Sequence, residues 1–220
     1  FKRSIRDITQ ELGKQVHLQL EGEKTELDKR MIDEIGDPLN HLIRNCVDHG
    51  IESADIRIQN EKPEIATVSL AASHRGNNVF ITVQDDGSGI DINRVKQTAV
   101  ARGIIPQSSA AKLTDDEAAE LIFQPGFSTA TEISDISGRG VGMDIVRTKI
   151  AQLNGTVEVS SKQGVGTKFI IRLPLTLTIT RCMLFRLSHG VLAVPIENVR
   201  DVVSVSGYQS PTANRSHIYE

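Results

Sequence analysis

Two hairpin signals separated by helical segments restrict this chain more than any other feature of its 220 residues. ATVSLAASH and NVFITVQD flank the turn RGN, and TVEVSS and TKFIIRLPL flank KQGVG. Alternation of apolar and polar positions marks half-buried strands, and short glycine loops join antiparallel neighbours. A further strand, VHLQLEG, sets Val16, Leu18 and Leu20 on one side. Helical patterns fill the intervals. Ile5, Ile8 and Leu12 share a face that ends at Gly13. Asp28 caps a helix through Ile35, and Pro38 suits the first turn of a separate helix that stops at Gly50. Asn93 to Arg102 and Met143 to Leu153 are also helical, closed by Gly103 and by Asn154-Gly155. Helices alternating with hairpins, without a long βαβ series, predict an α+β chain. Its expected form is a two-layer α/β sandwich, with helices on one face of a mixed sheet.

Between Gly103 and Gly142 regularity falls away, except for a helix over Thr114–Phe123 that opens on the capping-box pattern TDDE. A segment this long and rich in Ser, Thr, Gly and Pro is expected to act as a mobile lid. Beyond Leu175 short strands take over, CMLFRLSHG and VLAVPIENV, and residues 178–220 are too few for a core of their own. They read as the truncated start of a second, all-β domain with a polar, mobile tail. Phe1, with no Met before it, leads to the expectation of a fragment of something longer.

Net charge is −3 with no dense Lys/Arg run, so a nucleic-acid role has no electrostatic support. No apolar run is long enough to span a bilayer and no signal-peptide pattern opens the chain. Cys46 and Cys182 fit neither a disulfide nor a zinc spacing, which makes a reducing cytoplasm the simplest compartment.

The stretch HLIRNCVDHG holds an unusual density of polar groups. At about 100° per residue, His41, Asn45, Asp48 and His49 share roughly a third of a turn, with Arg44 at its edge, opposite Leu42, Ile43, Cys46 and Val47. A wet amphipathic surface is one reading of that arc. A zinc site fits poorly, since chelating His pairs sit about one turn apart and these two are two turns apart. The strand NVFITVQ runs into DDGSGID, which sets a carboxylate at a strand end before two glycines; a plain turn or a site for a flat ring would both use it. SGRGVGMD precedes a helix and reads as a hinge or as an anion site at a helix N-terminus. It is neither the dinucleotide fingerprint nor a P-loop, because Met143 stands where a third spaced glycine belongs and G-K-[ST] is absent.

Taken in order, an Asn-bearing helix, D-x-G-x-G, a Phe-containing lid and G-x-G-x-G resemble the ATP-binding (GHKL, or Bergerat) fold shared by histidine kinases, DNA gyrase, MutL and the chaperone HtpG. HLIRNCVDHGIE, QDDGSGID, FQPGFSTA, DISGRGVGMDIVR and GTKFIIRLPLTLTI together are similar to the catalytic domain of the CheA chemotaxis histidine kinases. The resemblance covers residues 1 to about 177, and 178–220 resembles the start of that family's CheW-like, SH3-like regulatory domain. It implies phosphoryl transfer from Mg²⁺-bound ATP to a histidine on a separate phosphotransfer domain. A scaffold without turnover, or an ATPase of the gyrase or chaperone kind, is the alternative.

The same resemblance implies the site residues. Asn45 would hold Mg²⁺, and His41 would stand by the γ-phosphate. Asp48 and His49 would line the phosphates and the pocket wall. Asp85 would accept the adenine amino group, Gly87 and Gly89 would give the ring room, and Ile90 would pack on it. Asp86 is the solvated, variable position. Arg94 would face the phosphates, Ile122 the base and Ser128 a phosphate. Phe123 and Phe127 would anchor the lid. Gly138, Arg139, Gly140, Val141, Gly142 and Met143 would fold over the triphosphate, and Thr167 would close the adenine side. His17, His74, His189 and His217 are read as structural or incidental. The resemblance also implies a CheW-like coupling protein, chemoreceptors and response regulators as partners. A monomer is expected, because the family's dimerising helices lie upstream.

Overall fold

A computed structural model of the chain describes residues 8–9, 13–127, 142–175, 182–187 and 190–201. Two compact units divide it, Phe1–Thr178 and Ile179–Glu220. The first unit is built on a five-stranded mixed sheet of order β1-β2-β3-β5-β4. Its strands are β1 (Val16–Glu21), β2 (Ala66–Arg75), β3 (Asn78–Asp85), β4 (Thr156–Lys162) and β5 (Gly166–Pro174). β1 runs parallel to β2, and every other pair is antiparallel. Both predicted hairpins are present, the first closing with Arg75 opposite Asn78.

Register decides which face is covered. Leu18 pairs with Val68, Leu70 with Val83, Val83 with Phe169, and Phe169 with Val159, so apolar side chains run in rows across one face. That face is buried against the helices: Met31, Ile35, Leu39, Leu42, Ile43, Val146 and Ile150 share its core cluster. The helices are α1 (Lys29–Asn45), α2 (Ala54–Gln59), α3 (Ile92–Ala101), α4 (Gln107–Ala110), α5 (Asp115–Ala119) and α6 (Met143–Gln152). Asp28 caps α1 through Arg30 N, and Thr114 with Glu117 forms the predicted capping box on α5, which a 3₁₀ turn extends to Phe123. α2 and α4 are additional to the sequence reading; both are too short to show a helical period.

One boundary expectation is overturned. Residues 29–45 form a single helix, with Pro38 inside it and buried. An interior proline costs about 3 kcal/mol. Met31, Ile35, Leu39 and Leu42 lie on one stripe at 0–2% exposure, and each such burial contributes about 1.5–3 kcal/mol. The stripe outweighs the break.

α1 ends in a π turn, Cys46–Gly50, in which Ile51 N donates to Cys46 O at 2.9 Å. The carbonyls left over at this end converge on Lys14, whose Nζ donates to Val47 O (2.8 Å), Asp48 O (2.7 Å) and Ile51 O (2.8 Å). Charge-assisted bonds to helix-end carbonyls both satisfy them and oppose the helix dipole. Lys14→Met is therefore expected to lower stability by about 2 kcal/mol, seen as an earlier midpoint in urea. An unchanged midpoint would show that water replaces the ammonium without loss.

The predicted helix over residues 1–12 lies largely outside the described residues; Ile8 and Thr9 are helical. In the second unit β6 (Cys182–Leu187) and β7 (Gly190–Pro195) form an antiparallel hairpin, followed by a 3₁₀ turn over Ile196–Asn198.

Candidate nucleotide-binding site

The last residue of β3 breaks the pattern of its strand. Val79, Ile81 and Val83 point into the core, and the next inward position is Asp85, a carboxylate only 3% exposed. Gly87 N (2.9 Å) and Thr167 N (3.2 Å) both donate to its Oδ1. Oδ2 is buried and lacks a hydrogen-bond partner among the described residues. Burial raises the Asp85 pKa against the pull of its hydrogen bonds. Cys46 faces the same carboxylate; burial and then the Asp85 charge push its thiol well up, so it remains protonated and at most a weak donor. A buried carboxylate oxygen without a partner is costly, and it requires an N–H or O–H donor from a ligand or water.

Backbone approaches build the cradle around it. A Cβ on Gly87 would lie 2.1 Å from Gly50 O, and one on Gly89 2.4 Å from Lys162 O. These glycines make room for the chain's own backbone, where the sequence reading assigned the space to a ring. Ser88 donates to Gly50 O through both N (2.8 Å) and Oγ (3.2 Å). Gly164 N donates to Ser88 O at 2.7 Å, and Ile90 N donates to Ser161 Oγ at 2.8 Å. Ser161 Oγ in turn bonds Gly166 O (3.0 Å) and lies 3.1 Å from Thr167 Oγ1. The turn after Asp85 is thereby fastened to the π turn on one side and to the β4–β5 turn on the other. Ile90 and Ile122, both half-buried, pack against the main core and against a smaller cluster of Val95, Ala99 and Leu121.

A second group of expected residues meets where α1 approaches the start of α6. Asn45 Nδ2 donates to Met143 Sδ at 2.8 Å, which leaves the amide oxygen as the atom able to ligate a cation. His41 is half-buried one turn earlier. Burial, then Arg44 and His49, lower its pKa, with Asp144 opposing, so the imidazole is neutral at neutral pH. Gly142 stands at the N-cap of α6 without a side-chain bond, at the positive end of the helix dipole, where Ile145 N donates to Asp144 Oδ1 at 3.0 Å.

Other expected residues range from exposed to core. Asp48 and His49 follow Asn45 in the π turn; their side chains are 42% and 78% exposed and sit 3.7 Å apart. Arg94 is exposed on the first turn of α3. Phe123 is core, edge-on to Phe169 at 6.4 Å and beneath the Arg147 guanidinium at 4.5 Å. Phe127 is half-buried in the smaller cluster, where Arg102 bonds its carbonyl. Ser128, Gly138, Arg139, Gly140 and Val141 lie outside the described residues, as does most of the expected lid beyond Phe127.

Asp86 is only partly the solvated position expected, its side chain being 37% exposed. Its carboxylate accepts from Thr67 N (3.0 Å) and Arg57 Nη2 (3.0 Å). Arg57, Lys62, Glu52, Ser161 and Lys14 escaped the sequence reading altogether, because ESADIRIQNEK has the composition of a solvated helix face and a lone serine or lysine carries no pattern. Among the described residues no helix is long and apolar enough to cross a membrane.

Residues 34–177 match the family described as Histidine kinase-, DNA gyrase B-, and HSP90-like ATPase. The Chemotaxis protein CheA of Bacillus subtilis is 50% identical over 199 residues, 90% of this chain and 30% of that protein. The Sensor histidine kinase CheAY of Helicobacter pylori is 47% identical over 206 residues, 94% of this chain and 26% of that protein. The chain thus spans less than a third of these relatives. The histidine kinase domain from the Erythrobacter litoralis blue-light activated histidine kinase aligns with a TM-score of 0.45 and 17% identity, over 79% of this chain and 62% of that one. The family match covers the strand that ends in Asp85, the glycine turn after it and the helix that brings Asn45 to Met143, and the chain therefore belongs to the histidine kinase-, DNA gyrase B- and HSP90-like ATPase family, with an ATP-binding domain of the CheA type.

Proposed function

We propose that this chain is the catalytic core of a CheA-like protein histidine kinase, which moves the γ-phosphoryl group of ATP to a histidine on a separate phosphotransfer domain. The observation that carries the reading is Asp85 Oδ2, a buried acceptor without a partner inside a cradle of close backbone approaches. An exocyclic amine supplies the donor it lacks. Mg·ATP, when bound, brings the activated phosphoryl group and the metal charge that offsets it. Asn45 would hold Mg²⁺ through its amide oxygen. Phosphate and water would supply the remaining oxygens, as suits a small hard cation. His41, neutral, donates a hydrogen bond toward the γ-phosphate or holds a proton there. The positive end of the α6 dipole favours an anion.

Phosphoryl transfer through a loose transition state depends on alignment and charge neutralisation more than on a strong base. A neutral imidazole on the acceptor domain is already a nucleophile, so the core needs only to hold the γ-phosphoryl group in line with it. Residues 1–177 form this core and residues 178–220 begin a CheW-like domain. That domain joins a coupling protein and chemoreceptors, response regulators take the phosphoryl group onward, and the whole operates in the cytoplasm.

The test is transfer of label from γ-labelled ATP to a purified histidine-phosphotransfer domain. Mg²⁺-dependent, acid-labile label on that domain is expected, and its loss in Asn45→Asp, because an added carboxylate alters the charge around the metal and phosphate. ATP binding without any transfer would instead mark a nucleotide-binding scaffold.

A further inference from the structure

The segment between the π turn and β2 has no place in the chemistry above, yet it holds the largest fully buried side chain of the described residues, Arg57, at 1% exposure. All three guanidinium nitrogens of Arg57 are engaged. Nε donates to Pro63 O (2.7 Å), Nη1 to Glu52 Oε2 and to Asp86 O (both 3.2 Å), and Nη2 to Asp86 Oδ2 (3.0 Å). Beside it, Lys62 Nζ donates to Glu52 Oε1 (2.8 Å), Asp86 O (3.0 Å) and Gly87 O (2.7 Å). An ammonium has three protons, and all three are used. The chain reaches this position through strain. Glu61 takes a left-handed φ of 59° at the end of α2, and Lys62 N returns to Arg57 O at 2.9 Å. A non-glycine residue in that region costs of order 1 kcal/mol, so the network around Lys62 over-determines the turn.

Geometry gives these bonds a consequence at the pocket. In a trans peptide the C=O and the next N–H point in opposite directions. The carbonyl of the 86–87 peptide is held from behind by Lys62 and Arg57, and its N–H, on Gly87, points forward to Asp85 Oδ1 at 2.9 Å. The carbonyl of the 87–88 peptide is held by Lys62, and its N–H, on Ser88, points forward to Gly50 O at 2.8 Å. The two peptide planes are fixed by cations on one side and fix the Asp85 carboxylate and the π turn on the other. Arg57 and Lys62 are balanced by Glu52 and Asp86, so the cluster is neutral in sum and acts through orientation, not through a field on the ligand.

We infer that Lys62, supported by Arg57, is a positioning residue for base recognition. It holds the Gly87 and Ser88 peptides so that Asp85 Oδ1 stays occupied and Oδ2 stays aimed at a purine amino group. The inference rests on the nucleotide reading of Asp85 and adds a determinant of selectivity that never touches the base.

Affinities for non-hydrolysable ATP and ITP analogues, measured calorimetrically, provide the test. Inosine replaces the 6-amino donor with a carbonyl oxygen, so the wild-type chain is expected to prefer ATP by roughly tenfold or more. Lys62→Met frees both peptide planes, lets the carboxylate rotate, and should cut the ATP/ITP ratio by about threefold or more. A general loss of stability weakens both nucleotides alike and leaves the ratio unchanged. Glu52→Gln is the control, because it weakens the ion cluster and lowers Tm while Lys62 keeps both carbonyl bonds; its ratio should stay near wild type. If Lys62→Met does not fold, Lys62→Gln, which retains at most part of the carbonyl contact, carries the same expectation. A wild-type preference that survives at full size in the Lys62 variant overturns the inference alone, as does an equal loss of ratio in Glu52→Gln. No preference in the wild-type chain overturns the adenine reading of Asp85 and takes the inference with it.

Discussion

Asp85→Asn should weaken binding of a non-hydrolysable ATP analogue by about 1.5–3 kcal/mol, roughly 10- to 150-fold, while leaving the fold intact. A carboxylate has two acceptor oxygens and both are needed. Oδ1 accepts from Gly87 N and Thr167 N, and Oδ2 is the buried atom left for a ligand. Asparagine has one oxygen. Turned toward the two N–H groups, it presents an NH₂ to an incoming amine; turned toward the amine, it sets its NH₂ against Gly87 and Thr167. Either way one side meets donor with donor. Stability should move little or rise, because burial raises the Asp85 pKa and the charged form is a burden on the fold.

The sign of the pH effect follows. A carboxyl whose folded pKa is raised above its ordinary 3.8 costs stability once it ionises, and that cost is relieved as pH falls through the raised value. Binding runs the other way. Protonation places an O–H where the ligand needs an acceptor, so wild-type affinity should begin to fall on acidification before an ordinary aspartate would titrate. Calorimetric titrations across the acid range would show this step in the wild type and not in Asp85→Asn. Equal affinities at neutral pH would remove Asp85 from recognition of the base.

Gly87→Ala should be among the most damaging small substitutions in the cradle. Its Cβ would lie 2.1 Å from Gly50 O, 2.4 Å from that carbonyl carbon and 3.0 Å from Asp85 Oδ1. The obstruction is backbone, which cannot swing aside as a side chain can. The π turn and the turn after Asp85 must part, losing the 2.8 Å bond from Ser88 N to Gly50 O. Overpacking costs about 1–3 kcal/mol and the bond about 1 more, which corresponds to a fall in Tm of roughly 5–15 °C for a domain of this size. Gly36→Ala makes a fair comparison. Gly36 lies within α1, where a Cβ would meet nothing within 4 Å beyond its own helix backbone, and alanine there should stabilise by about 0.5–1 kcal/mol. A Gly87→Ala melt within about two degrees of wild type would mean that the two turns separate freely.

Much of this was legible in the chain itself. Period-two alternation in VHLQLEG and the two hairpins marked all five strands of the first unit, because a sheet covered on one face writes its burial into every second residue. Asp28, Thr114 with Glu117, and Gly142 marked helix starts through side chains or glycines that act within one turn. Asp85 stood out as a charge at the end of an apolar strand, and Asn45 as one of a dense group of polar residues on one arc of a helix. These are local signals, set by neighbours in sequence.

What the sequence concealed was set by neighbours in space. Pro38 announces a helix break, and only a whole buried stripe from Met31 to Leu42 overrules it. The π turn is seen only once Gly50 has Gly87 and Ser88 to lie against. Lys14, Arg57 and Lys62 look like any solvated cations until carbonyls 6 to 37 residues away close around them. Sequence by itself determined the strands, most of the helices and the carboxylate on which recognition turns, since each depends on period and on adjacent residues. Tertiary structure alone decided which backbone groups are held, by which cations, and in which direction they point, because a hydrogen bond between distant segments leaves no period in the chain.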